Sequence, residues 1–144
     1  MMNDSPASPL FKKLNLGAHR EIAVFNVPDS FEPELKRLED VKIARDPGNP
    51  KGVKFGLAFA ITQAQLDRAS KLLAAAAAGD AVIWFAYPKG TSKRYRCEFN
   101  RDSGWSVIRD AGFESVRMVA IDADWSALRF RRAEYVKSSA GRKR

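Results

Sequence analysis

Ala81-Val-Ile-Trp-Phe-Ala-Tyr-Pro-Lys89 is an apolar run of strand length, rich in aromatic and β-branched residues and stopped by Pro88. A run without polar alternation is buried on both faces, as strands inside a parallel sheet are. The stretch Gly56 to Thr62 repeats the pattern. Between the two, Leu66, Ala69, Leu73 and Ala76 recur at helical spacing, and Thr62 stands three residues before Gln65 as a capping box. Gly79 is placed to end this helix, and Ala74 to Ala78 combine helix propensity with room for close approach to a sheet. The centre of the chain is strand, helix, strand.

Upstream, Ser8 and Pro9 suit an N-cap and first helical residue, Leu10, Phe11 and Leu14 share a face, and Gly17 can close the helix. A strand over Glu21 to Val27 follows. Asp29 and Glu32 have capping-box spacing ahead of Phe31, Leu35 and Leu38, and a weak strand spans Val41 to Ala44. Arg45-Asp-Pro-Gly-Asn-Pro-Lys-Gly52 is a loop dense in turn formers. Downstream, Asp102 is placed to cap a helix that carries Trp105 and Ile108 inward and closes at Gly112. Glu114 to Ile121 and Ser126 to Arg132 then form two strands whose short connection forces antiparallel pairing. In the last strand Leu128 and Phe130 alternate with Arg129 and Arg131, so one face is buried and the other partly wet. The expectation is one α/β domain over residues 9–132, between a flexible arm (1–8) and a basic, disordered tail (133–144).

The 144 residues carry 25 Lys and Arg against 17 Asp and Glu, a formal net charge of +8, with one cysteine and one histidine. One cysteine excludes an internal disulfide framework and suits a reducing compartment. The amino-terminal residues lack the pattern of a signal peptide, and no apolar segment reaches the roughly 20 residues that span a bilayer. A soluble, cytoplasmic protein is expected. His19 alone cannot anchor a zinc site of the usual kind, and no glycine-flanked serine offers a nucleophile elbow. No metal and no cofactor is expected.

The order of elements resembles that of a class I methyltransferase domain. Gly79-Asp-Ala-Val-Ile-Trp-Phe-Ala-Tyr-Pro-Lys89 is similar to the strand that in those enzymes follows a glycine turn after the long helix. Tyr87-Pro-Lys89, Asp102-Ser-Gly-Trp105 and Val119-Ala-Ile-Asp-Ala-Asp-Trp-Ser-Ala-Leu-Arg-Phe130 resemble a family of small bacterial proteins, a domain of unknown function. Together these resemblances imply an open, mostly parallel six-stranded sheet with an antiparallel closing hairpin and helices on both faces. They imply the strand order 2-1-3-4-6-5, a methyltransferase layout shortened by one strand-helix unit. The chain departs from that layout where the cofactor would sit. Its first strand runs into Asn26-Val-Pro-Asp-Ser-Phe31 without glycine, and Asp46 is the acid nearest the end of the second strand.

In open α/β sheets ligands bind beyond the carboxyl ends of the strands. That edge is expected to gather Asn26, Pro28, Thr62, Tyr87, Lys89, Thr91, Ser92 and Asp122. Lys89, Thr91, Ser92 and Lys93 have the donors to hold a small anion. Asp122 and Asp124 are either a carboxylate pair or hydrogen-bond acceptors of the hairpin turn, with Arg129 as a partner for one of them. Trp105 and Trp125 suit core packing; Cys97 lies among cations that would favour its thiolate on one exposed loop, but an unreactive cysteine is expected. Three functions compete. The first is a non-catalytic ligand-binding or protein-interaction module. The second is a divergent S-adenosylmethionine-dependent methyltransferase using Asn26, Asp46 and Tyr87. The third is weak nucleic-acid association through Lys93, Arg94, Arg96, Arg142, Lys143 and Arg144.

Overall fold

The computed structural model describes residues 8–136. Most of the expected arm, and the tail from residue 137 on with Arg142, Lys143 and Arg144, lie outside them. The chain runs α1 (Pro9–Lys13), β1 (Glu21–Phe25), a 3-10 turn (Asp29–Phe31), α2 (Glu32–Lys36), β2 (Lys42–Arg45) and β3 (Val53–Phe59). It continues through α3 (Gln63–Ala76), β4 (Ala77–Pro88), α4 (Ser106–Asp110), β5 (Phe113–Ala120) and β6 (Trp125–Arg132). Residues 133–136 add one helical turn.

One six-stranded sheet has the order β2-β1-β3-β4-β6-β5, as expected. The first three pairings are parallel, and β6 joins β4 and β5 antiparallel. Alternate residues feed two cores. On one face, Ile22, Val24, Phe55, Leu57, Val82 and Trp84 pack against Phe11, Leu14, Phe31 and Leu35. On the other, Ala23, Phe25, Ala58, Ile83 and Phe85 pack against Leu66, Ala69, Leu73, Trp105 and Ile108. Trp84 is fully buried, and its indole N–H donates to the Leu14 carbonyl at 2.8 Å, pinning the end of α1 to the sheet. Close approach of α3 rests on Gly56, where a Cβ would lie 2.8 Å from Leu73 Cδ2.

Local signals held where a side chain had a neighbour in sequence to serve. Ser8 caps α1 through the Phe11 amide, Thr62 and Gln65 form the complete capping box of α3, and Gly112 closes α4 at φ +96°. They failed where the chain found another partner. Asn15, at φ 62°, takes the left-handed position after α1 that Gly17 was expected to fill. Asp29 and Glu32 form no capping box: the segment starts as a 3-10 turn, and Glu32 instead pairs bidentately with Arg45 at 2.8 and 2.9 Å. Asp102 does not cap α4, whose N-cap position is held by Trp105 with no side-chain bond. Helix α3 stops at Ala76, before Gly79, because Ala77 already pairs with Val53; Gly79 at φ +58° sits in the irregular start of β4. Strand β1 ends at Phe25 rather than Val27 because Asn26 turns left-handed at φ 55°. Strand β3 spans Val53–Phe59 rather than starting at Gly56.

Candidate functional site

The carboxyl ends of the parallel strands hold most of the expected residues, in two separate depressions. A cleft of about 810 Å³ opens beside the ends of β4 and β6 under the loop that follows β4, and Tyr87, Lys89, Thr91 and Ser92 line it. A notch of about 360 Å³ lies at the ends of β1 and β2, lined by Asn26, Asp46, Gln65 and Arg68. The amino-terminal part of α3 divides them. Gln65, Arg68 and Ala69 face the notch, whereas Gln63 binds the loop that walls the cleft, its backbone N–H donating to Glu98 Oε1 at 2.8 Å and its carboxamide to the Gly104 carbonyl at 2.8 Å. Pro28, Thr62 and Asp122 line neither depression.

In the notch Asp46 and Asn26 are tied to each other and to the sheet. Asp46, itself left-handed at φ 45°, accepts the Asn26 backbone N–H at 2.8 Å through Oδ1. The Asn26 carboxamide donates to the Phe59 carbonyl at 3.2 Å, bridging β1 and β3, the two strands between which the strand order reverses. On the opposite face the same crevice is filled by aromatic rings, with Phe31 4.9 Å and Trp125 5.2 Å from Phe59 between centroids. An S-adenosylmethionine cradle needs free amides in the turn after the first strand and a free acid after the second. Here the Asn26 amide and Asp46 Oδ1 are engaged with each other, and Pro28 has no amide to offer, so the turn departs from that cradle at these positions.

In the cleft Tyr87 is 5 % exposed, and its hydroxyl meets only the Met118 thioether, at 3.5 Å. Burial raises its pKa, so it stays a neutral phenol able to donate and accept. Cys97 also lines the cleft. Burial raises its thiol pKa and nearby Glu98 raises it further, in keeping with the unreactive cysteine that was expected despite Lys93, Arg94 and Arg96 nearby in sequence. The remaining wall carries Lys89, Arg96 and Arg101 against Glu98 and Asp102, with Phe99 and Tyr95 as apolar surface.

Several expected ligand groups have structural work instead. Thr62 Oγ1 accepts the Gln65 amide at 3.1 Å. Ser92 Oγ donates to Asp124 at 2.9 Å and accepts the Arg94 and Tyr95 amides. Asp122 Oδ1 accepts the Asp124 and Trp125 amides at 2.8 and 2.9 Å, the Asx-turn arrangement. Arg129 pairs with neither aspartate; its buried Nε has no partner among the described residues, and burial with Arg131 and Arg117 nearby lowers its pKa. Trp105 and Trp125 are both core residues, as expected. Gln65, Arg68 and Arg101 were missed. Gln65 was read only as the capping-box partner of Thr62, Arg68 was not singled out, and the loop bearing Arg101 has no periodicity to place it.

No protein-family model and no curated protein matches this sequence. Solved structures do resemble it. The N-methyltransferase NodS from Bradyrhizobium japonicum superposes with a TM-score of 0.56 at 13 % identity, covering 85 % of this chain and 92 % of that one. A SAM dependent methyltransferase from Aquifex aeolicus gives 0.55 at 13 % identity, covering 85 % and 89 %. The mitomycin 7-O-methyltransferase MmcR gives 0.62 at 9 % identity, covering 82 % of this chain and 50 % of its own. The fold is therefore methyltransferase-like, an α/β domain with a mostly parallel mixed sheet and a closing hairpin. Identities this low carry the fold and nothing finer, and the resemblance to a small bacterial family gains no support from them. Among the described residues no helix is long and apolar enough to cross a membrane.

Proposed function

We propose that this chain is a small-ligand-binding domain that retains the methyltransferase fold without its cofactor cradle, and that the ligand occupies the Tyr87 cleft. The observation that carries this is the Tyr87 hydroxyl, buried at the base of an 810 Å³ cleft with only a thioether for a partner. A cleft of this size suits a small molecule, and a poorly partnered buried hydroxyl gains most from a ligand acceptor. The cations Lys89, Arg96 and Arg101 favour a ligand with a carboxylate or phosphate and an apolar body that rests on Phe99. The test is a thermal-shift screen of aromatic carboxylates and sugar phosphates at moderate salt. A ligand at 100 times its Kd adds about 2.7 kcal/mol. The shift should shrink in Tyr87→Phe, which keeps the ring and removes the hydroxyl; a hit that Tyr87→Phe leaves untouched removes this cleft as the site.

A second reading, a divergent S-adenosylmethionine-dependent methyltransferase, draws on two observations. Its fold neighbours are methyltransferases by name, and Asp46 stands at the end of β2 in a notch large enough for a nucleoside. The names favour this reading, and the closed geometry of Asn26 and Asp46 favours the first. Titration calorimetry with S-adenosylmethionine and S-adenosylhomocysteine separates them. Saturable binding that weakens at least about tenfold in Asp46→Asn would replace the first reading by the second. Absence of heat at millimolar ligand would retire the second.

A further inference from the structure

A cavity with a strongly basic rim lies at the other end of the strands. Its volume is about 760 Å³, and it is formed by the starts of β1, β2 and β3 and the loop between β2 and β3. Register places it. Lys42 N donates to the Arg20 carbonyl at 2.8 Å, which sets the starts of β1 and β2 side by side, and Ala23 and Ala44 are register partners that floor the cavity together with Val53. Pro47 and Pro50 wall it from the loop side. This is the outer part of the sheet, where β2 is an edge strand.

Its rim is cationic. Arg20, Lys42, Lys51 and Lys54 line it against a single carboxylate, Glu21. All four are exposed, and among the described residues none enters an ion pair. Two other cations at strand ends are engaged, Arg45 by Glu32 and Arg131 by Asp80. Half-buried His19, whose ring lies 6.3 Å from that of Phe55, adds a flat surface to the same cavity.

We propose that this cavity binds a nucleotide, with phosphates on the Arg20, Lys42, Lys51 and Lys54 rim and the base against the His19 ring. Four cations around one opening favour phosphate more than any exposed lysine does alone. An aromatic ring holds a base through stacking, which every base can supply. The nucleotide is either free or part of a single strand, since both present the same groups. The inference stands apart from the Tyr87 cleft.

Titration calorimetry of the full chain at physiological salt is the test, with ATP, AMP, adenosine, inorganic triphosphate and a ten-residue oligothymidylate as probes. ATP should bind more tightly than AMP, and adenosine and triphosphate at least about tenfold more weakly than ATP, because each lacks one half of the recognition. Lys42→Gln with Lys51→Gln should weaken ATP at least about tenfold, whereas Lys12→Gln with Lys71→Gln, which removes the same charge outside the cavity, should leave it unchanged. Tyr87→Phe should also leave it unchanged, so this site and the cleft fail or stand independently. Tighter binding of the oligonucleotide than of ATP assigns the natural source to a single strand; equal or weaker binding assigns it to the free nucleotide. Triphosphate binding as tightly as ATP, or equal losses in the two double variants, would reduce the effect to diffuse attraction by a basic protein and overturn the proposal.

Discussion

The two ends of the parallel strands are built from the same kinds of residue and use them oppositely. At the carboxyl end these carboxylates are consumed by structure: Asp46 by Asn26, Glu32 by Arg45, Glu98 by Gln63, Asp124 by Ser92. At the amino end Arg20, Lys42, Lys51 and Lys54 stand unpaired around a cavity. A group already satisfied by the fold has little left for a ligand, and one that faces water is free to exchange it. The difference therefore separates positions whose loss unfolds the protein from positions whose loss only weakens binding.

The comparison breaks most visibly at Phe59. This ring, 1 % exposed, fills the crevice between β1 and β3 where a ligand would otherwise enter. Phe59→Ala should cost about 3–5 kcal/mol in urea unfolding. A loss below about 1 kcal/mol would mean that the crevice collapses or fills with water, and the carboxyl end would be less committed to structure than its contacts imply. A smaller effect is expected at Thr62, whose hydroxyl was a candidate ligand group and instead caps α3. Thr62→Ala should cost about 1 kcal/mol, measured the same way. Thr62→Ser, which keeps the hydroxyl, should recover most of it.

Whatever depends on neighbours in sequence was legible. The strands β3 and β4 announced themselves as apolar runs, the α3 capping box as Thr62 and Gln65, and the Asx-turn as Asp122 ahead of Trp125. Strand order came from the resemblance in layout. The self-closing of the carboxyl end was not legible, because Asn26 meets Asp46 across 20 residues and Gln63 meets Glu98 across 35. Nor was the amino-end cavity, whose four cations come from three strand starts and one loop and form no cluster in sequence. A charge run would have drawn notice; four single charges brought together by parallel register do not.

One pair at the amino end does behave like the carboxyl end, and it sharpens the boundary. Arg131 grips Asp80 through Nε at 2.8 Å and Nη2 at 2.7 Å, tying the start of β4 to the end of β6. That hydrogen bonding holds the Asp80 carboxyl below its usual pKa. A carboxylate with a depressed folded-state pKa contributes stability that is fully present above its unfolded value, about 3.9, and is lost as pH falls through the folded one. The melting temperature of Asp80→Asn should therefore fall below that of the parent at pH 7, and the gap should close as pH drops below about 4. A gap that persists unchanged at pH 2 would show that the amide loses packing rather than charge.

The smallest effect is expected where the comparison is sharpest. Lys42 and Lys51 are exposed, touch no carboxylate within ion-pair distance among the described residues, and belong to an edge strand and a loop. Their removal takes away no buried contact and relieves repulsion with Arg20 and Lys54 across the cavity. Lys42→Gln with Lys51→Gln should therefore lie within about 0.5 kcal/mol of the parent in urea, with any bias toward stabilisation. The bias should fade in high salt, because repulsion between exposed charges is screened over about 10 Å at 0.1 M. Destabilisation beyond 1 kcal/mol would mean that these lysines support the sheet edge. The amino end would then be spent on structure like the carboxyl end, and a free cationic rim would no longer distinguish it.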